Sequence, residues 1–131
     1  MPEPRADRAP GSPRAKDVLG RWGEDLAVQH LAAAGHEVLD RNWRCREGEL
    51  DVVARDADGT VVFVEVKTRS TAAFGQPSEA VSRVKAARIR QLACRWLQEN
   101  PARGAALRFD VVSVVRAPGA PPAVWHLRGA F

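Results

Sequence analysis

The stretch FVEVKTR, Phe63 to Arg69, sets a carboxylate and an ammonium two positions apart, Glu65 and Lys67. Val62, Val64 and Val66 alternate with Phe63, Glu65 and Lys67, the period of a β-strand, so the two charges project from one face. Two settings suit such a pair. One is a solvated strand face; the other is an active site, where the acid holds a hard cation and the lysine orients or deprotonates an attacking water. Only three of the 20 basic residues are lysines, Lys16, Lys67 and Lys85, so arginine is this chain's default cation. Arginine cannot serve as a base, which makes a lysine at this position chemically informative.

A second strand, ELDVVAR, precedes this one across the turn DADG. If Ala57-Asp58-Gly59 forms a three-residue loop ending in a left-handed glycine, Asp56 faces Thr60. Opposed residues then have numbers summing to 116, which sets Asp51 across from Glu65 and Glu49 across from Lys67. Cβ atoms so opposed lie about 4.5–5.5 Å apart. A four-residue loop would shift the register by one and send Asp51 and Glu65 to opposite faces. In the first register the two carboxylates repel unless a cation lies between them. Mg²⁺ or Mn²⁺ would meet that need, being held by one or two carboxylates, waters and substrate phosphate. The competing reading of the same register is a solvated face on which Glu49 and Lys67 form a cross-strand ion pair.

Upstream, in GRWGEDLAVQHL, the positions Gly20, Gly23, Glu24, Ala27 and Leu31 follow helical i, i+3, i+4, i+7 spacing and share one face. Glycine inside a helix costs about 1 kcal/mol relative to alanine, and close approach of this face to a sheet would account for two of them. Glu24 lies in that stripe and should point inward. A buried carboxylate must be paired or bind a cation. Glu24 is therefore either the partner of an arginine such as Arg44 or Arg46, or a third acid at the metal site.

The elements needed to position these side chains follow from periodicity and turn residues. A helix is expected from Asp17, as N-cap, to Ala34, stopped by Gly35, followed by a strand over His36–Arg44. The hairpin comes next, and then a loop, STAAFGQP. Ser78 is expected to cap a long helix, with Glu79 in its first turn, running to Glu99 before Asn100-Pro101. LRFDVVSVV and AVWHLR complete the order αβββαββ, without internal repeats. Such an order predicts an α/β fold, a mixed sheet flanked by helices, in which the second helix crosses over to a parallel neighbour.

Composition bounds the remainder. A chain of 131 residues is one domain, expected over residues 17–131, preceded by a disordered Pro/Arg/Ala-rich tail at 1–16. No apolar run approaches the roughly 20 residues of a membrane span, and the N-terminus has no signal-peptide pattern, so a cytoplasmic protein with no membrane association is expected. Cys45 and Cys94 are read as reduced thiols, since His30, His36 and His126 do not share metal-ligand spacing with them. A net charge of +4 permits an anionic partner without demanding one. The four tryptophans are scattered, and packing is their default role.

Asp51 followed fourteen residues later by Glu65-Val66-Lys67 resembles the PD-(D/E)xK nuclease signature on a hairpin. With Glu24 it is similar to archaeal Holliday-junction resolvases and related restriction-endonuclease-like proteins. More closely, GRWGEDLAVQHLAAAGHEVLDRNWR, GELDVVARD, VVFVEVKTR and RFDVVSV together look like the YraN family, bacterial proteins predicted to be nuclease-like. The resemblance runs from about Gly20 to the C-terminus. It implies a restriction-endonuclease-like αβββαβ core with a short extra C-terminal strand. Asp51, Glu65 and the Val66 carbonyl would bind Mg²⁺ or Mn²⁺, Lys67 would activate water, and Glu24 would complete the acidic cluster. Glu49 fits the family's Gly-Glu-(Ile/Leu)-Asp run and would support the ligands. Lys85 and Arg88 match a basic helix position that would meet phosphates, against the alternative that both simply face solvent. Two departures stand out: Leu50 replaces the motif's proline, and Gly129 stands where Asn or Asp is expected. Asp110 matches the family and is read as structural.

The function these readings imply is a metal-dependent nuclease acting on nucleic acid, DNA above all and branched DNA among the candidates. A homodimer would suit symmetric two-strand cutting. The alternatives are a non-catalytic nucleic-acid-binding module of the same fold and an adaptor that binds neither metal nor DNA.

Overall fold

The computed structural model describes residues 15–70 and 81–131, with side chains from Val18. Helix α1 (Ala15–Ala33) leads into strands β1 (Glu37–Cys45), β2 (Gly48–Arg55) and β3 (Val61–Arg69). Helix α2 (Arg83–Glu99) is followed by β4 (Leu107–Val115) and β5 (Ala123–Leu127). The strands form one sheet in the order β1-β2-β3-β4-β5. Pairings are antiparallel except β3 with β4, which is parallel, as the intervening helix requires. This is the mixed α/β architecture expected from the element order. Among the described residues no helix is long and apolar enough to cross a membrane.

The hairpin turn sets the register. Asp56 N donates to Thr60 O at 3.0 Å, Gly59 N donates to Asp56 O at 3.0 Å, and Gly59 has φ +87°. The Asp56 carboxylate also accepts from the backbone N–H groups of Asp58 and Thr60, which braces the loop from within. The ladder then runs from Arg55↔Val61 to Val52↔Val64, numbers summing to 116. The three-residue loop is the one adopted.

Two hydrophobic clusters cover the two faces. Ala27 and Leu31 of α1 pack with Val52, Val62, Val64, Val112 and Val114. Ile89, Leu92, Ala93 and Trp96 of α2 pack with Leu50, Val53, Val61, Phe63 and Phe109. Strand β3 is thus buried on both faces over Val61–Val64, which leaves the reading of Glu65 and Lys67 on a solvated strand face without support there. The face bearing Phe63, Glu65 and Lys67 is the one that α2 covers: Phe63 packs on Trp96 and Lys85 of α2 reaches Glu65.

Helix boundaries moved where local signals competed. Asp17 lies within α1 instead of capping it. Helix α2 begins at Arg83, and its cap is Ser82, whose Oγ accepts from Lys85 N at 3.1 Å. Ser78 and Glu79, with most of the loop before them, lie outside the described residues, as do tail residues 1–14.

The two helix glycines separate in role. A Cβ on Gly23 would lie 2.1 Å from Thr68 Oγ1 and 2.9 Å from Thr68 Cβ, so α1 meets β3 there without room for a methyl group. Gly20 is exposed with nothing within 4 Å, contrary to the expectation that both serve close approach. Opposite outcomes follow. Gly23→Ala should destabilise by about 1–3 kcal/mol through overpacking, whereas Gly20→Ala should stabilise by up to about 1 kcal/mol through helix propensity. Chemical denaturation of both variants checks the pair, and equal shifts would contradict it.

Asp110, beside Val64 in the β3–β4 register, centres a network that extends to the hairpin turn. Fully buried, it accepts from Arg108 Nε (2.9 Å) and Nη2 (3.1 Å) and from Gly129 N (2.9 Å), and it meets His126 Nε2 at 2.7 Å. Arg108 reaches on to Asp56 at 2.8 Å, tying the hairpin turn to β4. Burial opposes ionisation of Asp110, but His126, Arg108 and the Gly129 N–H outweigh it and hold its pKa at about 2. Gly129 has φ +61°, a conformation that Asn and Asp also tolerate, which explains the exchange of residue types there. Asp110→Ala removes the acceptor shared by Arg108, His126 and the Gly129 N–H while Arg108 keeps Asp56, and should cost about 1–3 kcal/mol. Because the folded-state pKa is depressed, the wild-type contribution is complete above the ordinary carboxylate value and is lost as pH falls toward 2. The gap between wild type and variant in urea unfolding should therefore narrow below pH 4.

Candidate active site

Beyond Val52↔Val64 the β2–β3 ladder ends, while β3 continues alongside β4 to Arg69↔Val115. The backbone N–H groups of β3 on the β2 side lose their ladder partners at this point. Asp51 supplies one: its Oδ2 accepts from Val66 N at 2.9 Å. The hairpin register and this bond bring Asp51 to the segment that carries Glu65, Val66 and Lys67. Parallel register places Glu65 beside Val111 and Lys67 beside Ser113, which is fully buried. The stacked rings of the preceding pair, Phe63 and Phe109, mark this as the α2 face.

Electrostatics around Asp51 are unfavourable to its charge. Burial first, then Glu65, with lesser contributions from Glu24 and Glu49, push its pKa up to about 8 against the lowering effect of the Val66 N–H. Glu49 is also raised, mainly by burial, with Arg44 acting against it and Glu24 and Glu65 adding to it. Four acids therefore feel one another here. The chain partly neutralises them itself: Lys85 Nζ, from the first turns of α2, contacts Glu65 Oε2. Arg44 stands 3.7 Å from Glu49, its register partner across β1 and β2. Glu49 is thus an arginine's partner on the neighbouring strand.

Glu24 points inward from α1, its side chain only 10% exposed. Its Oε1 accepts from Asn42 Nδ2 at 2.7 Å and from Arg41 Nη2 at 3.1 Å, and Arg41 also bonds Asp25 at 2.7 Å. The arginine expected beside Glu24 is Arg41, not Arg44 or Arg46. Sequence reasoning missed Asn42 altogether. It has φ +53°, the one positive φ at a non-glycine among the described residues, at a cost of about 1–2 kcal/mol. The pairs Arg41↔Val52 and Trp43↔Leu50 bracket it, so it stands opposite Asp51. Arg41 reaches α1 and Val52 packs under α1, whereas Trp43 and Leu50 pack under α2. In a regular strand residues two apart share a face; here both strands change faces at Asn42 and Asp51.

Of the basic helix positions, Lys85 is committed to Glu65, and Arg88 is exposed with its stem beside the β1–β2 turn at Gly48. Among the described residues no three acidic, histidine or cysteine side chains converge as a ready-made metal cage. Asp51 and Glu65 nevertheless carry hard oxygen donors on adjacent strands. This set suits Mg²⁺ or Mn²⁺, which retain waters and need few protein ligands.

Comparison with known proteins gives the chain its relatives. The profile of Uncharacterised protein family UPF0102 matches residues 23–114. A UPF0102 protein of Frankia alni is 62% identical over 118 residues, covering 90% of this chain and 98% of its own length. The chain belongs to this family. A UPF0102 protein of Beutenbergia cavernae is 57% identical over 116 residues, 88% of this chain and 98% of its own. The matched span runs from Gly23 of α1 through β4, so Glu24, Asn42, Asp51, Glu65 and Lys67 all lie within the UPF0102 region. Among solved structures, a repair endonuclease from Pyrococcus abyssi aligns with TM-score 0.44 at 17% identity, over 85% of this chain and 42% of its own. The EndoMS-dsDNA2 complex aligns with TM-score 0.39 at 17% identity, over 76% of this chain and 37% of its own. The UPF0102 chain spans less than half the length of either.

Proposed function

We propose that this UPF0102 protein is a Mg²⁺- or Mn²⁺-dependent hydrolase of phosphodiester bonds in nucleic acid, DNA above all. The observation that carries the reading is Asp51: a half-buried acid beside Glu65, with its pKa raised to about 8 and its Oδ2 fixed by the Val66 N–H. Two carboxylates held together at such a cost make sense where a cation is to be bound. Asp51, Glu65 and the Val66 carbonyl would hold the ion, and a bound divalent cation supplies charge stabilisation for the phosphoryl oxygens and a more acidic water. The other roles belong to the chain itself. Lys67 Nζ, on the face of Glu65, orients the attacking water or takes its proton. Glu24 adds negative charge from the α1 side. Lys85 holds Glu65 until the site is loaded, and its release leaves an ammonium for the substrate's phosphate.

The Lys85–Glu65 contact also favours a second reading, in which the chain's own ammonium permanently neutralises the acid and the protein binds nucleic acid without cutting it. Incubating the full chain with branched, flapped and linear DNA and with RNA, in Mg²⁺ or Mn²⁺, separates the two. The hydrolase reading expects cleavage of at least one substrate that EDTA abolishes. Salt-sensitive binding without cleavage in either metal would support the second.

A further inference from the structure

We infer that Asn42 is a positioning residue that holds the Glu24 carboxylate toward the Asp51–Glu65 pair, and that divalent-ion binding depends on it. The inference rests on the metal-binding reading above. Asn42 combines three features: a left-handed backbone inside a strand, a 2.7 Å amide bond to Glu24 Oε1, and a place directly opposite Asp51 in the β1–β2 ladder. The faces of both strands reverse at Asn42 and Asp51, and the amide of Asn42 reaches back to Glu24 on α1. Few residue types satisfy these demands together. Glycine adopts the conformation and has no donor, aspartate adopts it and offers only acceptors, and glutamine has the donor but not the backbone preference.

The neutrality of the donor matters as well. Arg41 shares its charge between Glu24 and Asp25, and a second full positive charge would cancel what Glu24 contributes. An amide fixes the carboxylate without neutralising it. Both donors act on Oε1, and the charge of Glu24 so held acts on Asp51. Partners that orient a metal site's acids in this way change its affinity by about 10–100-fold when removed.

The test measures Mn²⁺ affinity by calorimetry for wild type, Asn42→Gly, Glu24→Gln and the double variant, with thermal unfolding of each apo-protein. Asn42→Gly should unfold at or above the wild-type temperature, since glycine relieves the backbone, yet bind Mn²⁺ about 10-fold more weakly. In the Glu24→Gln background the same substitution should change affinity by less than about twofold, because the residue acts through Glu24. Wild-type affinity in Asn42→Gly, or an equal loss in both backgrounds, would overturn the role of Asn42 and leave the metal site standing. Absence of Mn²⁺ binding in wild type would remove the metal site and the role of Asn42 with it.

Discussion

Lys67→Ala should lower the single-turnover rate of metal-dependent cleavage by about 10²–10⁴-fold, the range for loss of a positioned proton acceptor. Mn²⁺ affinity should stay within about threefold, because Lys67 is not among the proposed ligands. The location of Lys67 supports an effect of this size. It lies one strand period beyond Glu65 on the α2 face, where β3 has left β2 but is still paired with β4, so its backbone is fixed by Ser113 and its neighbours. Lys67→Arg discriminates between roles. If the lysine only offsets charge on a phosphate, arginine should restore most of the rate. If it handles the water's proton, arginine should fail, since guanidinium does not deprotonate in proteins. Rapid-quench measurements on both variants, with calorimetry for the metal, check the account; a Lys67→Ala rate equal to wild type would contradict it.

Asp51→Asn should have two effects of opposite sign. Metal affinity should fall by more than about 100-fold, with cleavage reduced to background, because one of two anionic ligands is gone. The apo-protein should meanwhile become more stable at neutral and alkaline pH. The sign follows from linkage: a folded-state pKa raised to about 8 means that proton binding favours the folded chain, so stability declines as pH rises from the ordinary carboxylate value through about 8. Asparagine is neutral throughout and its amide oxygen can still accept from Val66 N. At pH 8.5 the variant should gain on the order of 1–2 kcal/mol, a rise in Tm of roughly 5 °C. Near pH 5 that advantage should shrink toward zero. Differential scanning calorimetry at both values, without metal, separates this from an ordinary loss of packing, and a variant less stable at pH 8.5 than wild type would contradict the electrostatic account.

Much of this fold was legible because its signals are local. The turn DADG narrowed the loop to two lengths, and the three-residue one, Ala57-Asp58-Gly59, sets the register that brings Asp51 to Glu65. Valine alternation marked β3, and Glu24 in the small-residue stripe of α1 pointed inward. What could not be read depended on relations between distant residues. Burial of β3 on both faces arises from α1 on one side and α2 on the other, helices far from it in sequence. Lys85 found Glu65 across 20 positions of sequence, and Arg41 instead of Arg44 or Arg46 met Glu24, because β1 shifts register between Val38 and Asp40 and changes face at Asn42. Asn42 itself gives no pattern signal: an asparagine between Arg41 and Trp43 reads as one more polar strand position. Its backbone conformation has no signature in the alternation, and the tripeptide Arg-Asn-Trp lacks the glycine that ordinarily flags a left-handed residue.

The central claim, that Asp51 and Glu65 form a divalent-ion site, is tested most directly by crystals grown with Mn²⁺ and measured for its anomalous scattering. One strong peak is expected within about 2–2.5 Å of carboxylate oxygens of both Asp51 and Glu65, with Lys85 displaced from Glu65. A wild-type crystal at millimolar Mn²⁺ with no peak there, and with Lys85 still seated on Glu65, would contradict it.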